Sequence, residues 1–224
     1  MKASFLVILS TFLFSAIVSG QKKLTEEEII YYWKKTKPEN LKDKNVLPII
    51  AFDTILQTRT IKLIDSLHAL SIDTVVVYTI SYSGYYGSNK CRTGLYPVNS
   101  FVIWKSSDET YTKRLEGNCN FNIAKISPTS LFEYYDKNYS TIKDEIFMPN
   151  IYGAELSDSN TVRYSAGFSF HEPQYSIIYR VGNAFSEIKF SESELEDKKS
   201  LFHDRNLNLK SYTWWQIIKK DLKQ

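Results

Sequence analysis

At 224 residues and a formal net charge of +3, the chain is long enough to bury one sizeable core and too short for two domains to be the default expectation. Its 28 basic side chains against 25 acidic ones create no strong field, so nucleic acid and anionic membrane surfaces are not expected partners. Tyr and Phe are in surplus, at 16 and 13, while Gly, Pro and Met are few, a bias that suits strands and adhesive surfaces alike.

Behind the single basic residue Lys2 runs an apolar stretch, Phe5 to Val18, which ends in the small residues Ser19 and Gly20. The stretch is shorter than the roughly 20 apolar residues that span a bilayer, and Ser10, Thr11 and Ser15 interrupt it, so it has the form of a secretory signal. The expectation is a signal peptide over residues 1–20 and a single exported α+β domain over 21–224, periplasmic or extracellular, with no stable membrane insertion after signal cleavage.

Thr25 followed by three glutamates reads as a helix start. Thr25 is the N-cap, Glu28 completes a capping box, and Leu24 against Ile29 forms a hydrophobic staple. Lys37-Pro38 stops that helix. From Asp53, a second N-cap candidate, Leu56, Thr60, Leu63, Leu67 and Leu70 recur at helical spacing and predict a helix to about Leu70. The next segment, Ile72 to Tyr82, is β-branched and aromatic at both alternating positions, which is how a central strand covered on both faces reads.

Gly84 and Gly87 make the exit from that strand a loop. Cys91 and Cys119 are the only two cysteines, and in an oxidising compartment they read as a disulfide that stabilises by about 3.5 kcal/mol. A hairpin follows, Phe101 to Lys105 and Thr110 to Leu115, and centring its turn on Ser107 and Asp108 pairs Ser106 with Glu109. Cys91 and Cys119 are not ladder partners in that register. The bridge therefore ties the Tyr–Gly loop onto the end of the hairpin's second strand.

Ser127-Pro128 opens a helix whose stripe is Leu131, Tyr135, Tyr139, Ile142 and Ile146. Val162 to Phe170 alternates as a half-exposed strand, His171 to Gln174 turns the chain, and Tyr175 to Val181 and Phe185 to Phe190 are further strands. The tail, Ser211 to Leu222, places Trp215, Ile218 and Leu222 on one helical face, to be docked on the sheet. Hairpins outnumber βαβ patterns, so the class is α+β: a mainly antiparallel sheet of about five or six strands with helices packed on one face, in a single domain.

Catalytic signals are sparse. His68, His171 and His203 share no metal-ligand spacing, no GxSxG elbow occurs, and no cofactor motif is present, so neither metal nor cofactor is assigned. The strongest functional signal is compositional: Tyr85, Tyr86 and Tyr96, with Gly between and Arg92 as a charged anchor, have the make-up of a recognition loop for a protein or a carbohydrate. The expected function is a non-catalytic binding or interaction module that uses this aromatic, disulfide-restrained loop. The alternative is a secreted or periplasmic hydrolase with an unrecognised site.

Overall fold

A computed structural model describes residues 22–36, 53–82, 91, 97–126, 130–157, 161–167, 172–182 and 184–223. Two antiparallel sheets organise them. The larger contains β2 (Thr74–Tyr82), β3 (Val98–Ser106), β4 (Glu109–Glu116), β5 (Cys119–Ile126), β8 (Pro173–Val181) and β9 (Ala184–Ser191), in the order β5-β4-β3-β2-β8-β9. The smaller joins β1 (Lys22–Lys23), β6 (Ile151–Leu156) and β7 (Val162–Ala166). The α+β class and a six-stranded antiparallel sheet follow as expected.

The β-branched segment occupies the middle of the large sheet, where both of its faces are covered. Val76, Tyr78 and Ile80 enter one core cluster, while Val75 and Val77 enter another on the opposite side. The β3–β4 hairpin has the expected register, with Ser106 facing Glu109 and Phe101 facing Arg114. Ser107 takes the left-handed conformation, φ 56°, that this two-residue turn requires,. Gly182 does the same in the β8–β9 turn, at φ 56°, where glycine carries no steric penalty.

Helix α1 (Glu26–Thr36) has the predicted capping box: Glu28 N–H donates to Thr25 Oγ1 at 3.3 Å and Thr25 N–H donates to Glu28 Oε2 at 3.0 Å. Leu24 and Ile29 are both buried in a cluster with Met148, Ile151 and Phe202, so α1 packs on the small sheet. Helix α2 (Thr54–Ala69) starts at Asp53, whose side chain accepts from Leu56 N–H at 2.9 Å. Its buried stripe is Leu56, Thr60, Ile64 and Leu67. Ile64 takes the central place expected for Leu63, and Leu70 is exposed beyond the helix end.

Helices α3 (Ser130–Ile142) and α6 (Lys210–Asp221) pack together on one face of the large sheet, while α2 covers the other. Helices therefore lie on both faces rather than one, because the central strands are apolar at odd and even positions alike. Helix α6 buries Trp214 and Trp215 together. Trp214 donates its indole N–H to the Leu131 carbonyl at 2.9 Å. Removing a side chain of this size from water contributes up to roughly 5 kcal/mol.

The α3 stripe ends at Ile142, one turn before Ile146. There Glu145 leaves the helix and accepts from Lys210 N–H at 2.9 Å and Ser211 N–H at 2.7 Å, capping α6,. Between α4 (Ser193–Glu196) and α6, the short helix α5 (His203–Leu207) carries the fully buried Asn206. Its amide accepts from Met148 N–H at 3.0 Å and donates to the Met148 and Glu194 carbonyls at 2.8 and 3.0 Å. One side chain thus satisfies two buried backbone groups of Met148 and a part-buried one of Glu194, which would be costly unpaired.

Candidate binding cleft

The disulfide between Cys91 and Cys119 is present, with Cα atoms 4.9 Å apart. Its place differs from the expected one. Cys119 does not close the second hairpin strand but opens β5, a third strand reached through the tight turn at Gly117 and Asn118. Asn118 N–H donates to the Cys91 carbonyl at 2.9 Å. On the other side, Arg59 of α2 donates through Nη2 to the Cys119 carbonyl at 2.7 Å and through Nη1 to the Gly117 carbonyl. Tyr82 N–H bonds to the Pro97 carbonyl at 3.1 Å, holding together the exit of β2 and the entry to β3. The apolar N-terminal stretch and the binding candidates Tyr85, Tyr86, Arg92 and Tyr96 lie outside the described residues.

Along the outer strands lies a cleft of about 480 Å³ between β4–β5 and the last turn of α6. The cause is the sheet's reach. Core residues under α3 and α6 come from β2, β3, β8 and β9, with Ile126 of β5 only packed against their edge. The outer strands thus extend past the helices. Alternation directs Phe101, Thr112 and Arg114 to this face,. Phe121 and Ile126 of β5 add apolar surface, and Asp221, Leu222 and Lys223 close the cleft from above.

Three of its polar atoms are buried and have no hydrogen-bond partner: Thr112 Oγ1, Arg114 Nε and Asp221 Oδ2. Thr112 is 8 % exposed. Arg114 uses Nη2 to bond Glu116 Oε2 at 2.7 Å and Asn99 Oδ1 at 3.1 Å, and its guanidinium lies 4.9 Å from the centre of the Phe121 ring,. Its charge is therefore already matched. Burial raises the Asp221 carboxyl above the ordinary carboxylate range, with Lys220 opposing that rise,. Lys125, on the rim, is paired with Glu109.

Elsewhere the chemistry is ordinary. His68 meets Asp73 at the surface and His203 Nδ1 lies 2.8 Å from Asp204 Oδ1, while His171 is outside the described residues. Among the described residues, no group of three or more His, Cys, Asp or Glu converges as a metal site would, and no helix is long and apolar enough to cross a membrane. A second cavity of about 290 Å³ lies on the small sheet between Lys23, Glu155 and Arg163, where opposite charges alternate across neighbouring strands.

Sequence reasoning missed this cleft because its signal is tertiary. Thr112 and Arg114 are visible only as polar positions in a hairpin, and Asp221 only as an acid near the end of a helix. The chain matches no protein-family model, no curated protein and no solved structure.

Proposed function

We propose that the chain is an exported, non-catalytic binding module whose recognition surface is the cleft along the outer strands β4 and β5 of the large sheet. The sequence candidates Tyr85, Tyr86, Arg92 and Tyr96, on either side of Cys91 in the chain, belong to the same proposal as a second contact to be tested. The observation that carries this reading is the set of three buried, unpartnered polar atoms in one cleft. Each such group costs on the order of 1–3 kcal/mol when left unmatched. A bound ligand that supplies the missing partners offsets that cost.

Export is supported by the apolar run Phe5–Val18 with its small-residue end, and by the disulfide, which persists in oxidising compartments,. The hydrolase alternative is favoured less. Asp221 is the sole carboxylate among the described residues lining the cleft, whereas general acid and base work between carboxyl groups needs a facing pair.

Amide NMR with a panel of small neutral, anionic and cationic fragments tests the proposal. Binding shifts should cluster at Thr112, Arg114 and Phe121, and the panel of chromogenic esters and glycosides should not be turned over. For any fragment that binds, Tyr85→Ala with Tyr86→Ala should weaken affinity about tenfold, near 1.4 kcal/mol. Turnover of an ester or glycoside that is abolished by His203→Ala or His171→Ala would replace this reading with the hydrolase.

A further inference from the structure

We infer that the cleft between β4–β5 and the end of α6 receives an uncharged, polyhydroxylated ring, a mono- or disaccharide, held by Thr112, Arg114 and Asp221 beside Phe121. This deepens the binding reading and rests on it. The argument begins with what the cleft lacks. Its unmatched atoms are one N–H donor on Arg114, one hydroxyl on Thr112 and one carboxyl oxygen on Asp221.

These groups do not ask for a charged partner. The Arg114 guanidinium is neutralised by Glu116 at 2.7 Å, so its spare Nε–H is a donor without surplus charge. Asp221 Oδ2 is an acceptor without a partner, and burial raises its carboxyl above the ordinary range, so a hydroxyl that donates to it suits the site in either protonation state. An anion or a cation entering here would meet no prevailing charge, since Arg114 is paired with Glu116, Lys125 is paired with Glu109, and Asp221 lines the cleft together with Lys223. Either would lose its hydration for little Coulombic return.

Hydroxyl groups fit this set, because each donates once and accepts twice. A sugar ring also has apolar C–H faces, which Phe121, Ile126 and Leu222 match,. The volume of about 480 Å³ lies within the range of small-ligand pockets and suits one or two such rings. An extended peptide would engage a different feature, the free edge of β5, through backbone hydrogen bonds,.

Calorimetry and amide NMR on the full mature chain provide the test, using cellobiose, maltose and N,N′-diacetylchitobiose as neutral probes. Acetate, inorganic phosphate, methylammonium and a blocked Thr-Val-Thr-Val peptide are the comparison probes. At least one saccharide should bind with a dissociation constant of about 1 mM or tighter, shifting the amides of Thr112, Arg114 and Phe121. Thr112→Val, which keeps the side-chain shape and removes the hydroxyl, should weaken binding about tenfold. Asp221→Asn, which keeps a donor and an acceptor, should weaken it less than Asp221→Leu. Lys62→Ala, on the far side of the sheet, should leave it unchanged.

If acetate, phosphate, methylammonium or the peptide shifts the cleft while all three saccharides leave it still at about a hundredfold excess over protein, the sugar assignment is wrong and the binding reading survives. If no probe disturbs the cleft, both are wrong. Saccharide binding that is indifferent to Thr112→Val and Asp221→Leu also overturns the inference, since the ring would then sit elsewhere.

Discussion

Trp215 and Tyr78 stand 137 residues apart, and the indole N–H of one donates to the hydroxyl oxygen of the other at 3.1 Å. The bond joins the last helix to the central strand in a fully dry place, since Tyr78 is 0 % exposed. Burial pushes the Tyr78 phenol well above its ordinary range, so the hydroxyl stays protonated whenever the protein is folded. Trp215→Phe should therefore cost about 1–3 kcal/mol beyond the change in packing. Adding Tyr78→Phe should recover part of that loss, because the orphaned hydroxyl goes with it. Urea unfolding of the two single variants and the double variant closes the cycle.

The capping box makes a second, smaller prediction. Thr25→Ala removes the oxygen that accepts from Glu28 N–H and should lower stability by about 1 kcal/mol. Glu28→Gln should cost less, because an amide oxygen still accepts from Thr25 N–H. Thermal denaturation of the paired variants reads both effects.

Asn206 should tolerate almost nothing. Asn206→Ala strands Met148 N–H and two carbonyls, and should destabilise by more than about 2 kcal/mol. Asn206→Asp keeps the acceptor for Met148 N–H but turns lone pairs toward the Met148 and Glu194 carbonyls. That variant should be worse at neutral pH than in mild acid, where a protonated carboxyl donates again. Unfolding curves for Asn206→Asp at pH 4.5 and pH 7, set beside wild type, should show the gap narrowing in acid.

Cys91→Ala should lower stability by about 2–4 kcal/mol, and denatured, unreduced wild type should titrate no thiol. A native protein with two reactive thiols would contradict the bridge.

Asp221 gives the chain a pH signature with a definite sign. Its carboxyl binds a proton more tightly when folded than at its ordinary value of 3.8. The resulting contribution to stability is complete below that value and is lost as pH rises through the raised folded one. Asp221→Asn should thus match wild type near pH 3 and melt higher than wild type at pH 7. Equal melting shifts at both pH values would show that Asp221 is not desolvated.

Much of the large sheet was legible because its signals are local. Val75 to Ile80 announce a doubly covered strand by residue type, and Ser107 with Asp108 sets the hairpin register by turn position alone. Strand β5 was not legible: Asn120, Asn122 and Lys125 give it no apolar periodicity, because it is an edge strand exposed on both faces,. The small sheet was hidden for another reason. Gly153 and a register shift after Ile151 break the alternation of β6, and its partner β1 is two residues long. The cleft was illegible in kind, since it exists only where α6 ends over β4.

The strand order carries a consequence for how the chain is assembled as it is made. β2 pairs with β3 almost at once, but its other edge waits for β8, so Thr74 meets Val181 only after a hundred further residues have emerged. Until then a strongly apolar strand presents an unpaired edge, and α3 alone covers the face holding Tyr78 before Trp214 and Trp215 of α6 dock there,. Emergence in this order thus creates an interval of aggregation risk, which a holding chaperone that shields the β2 edge should shorten.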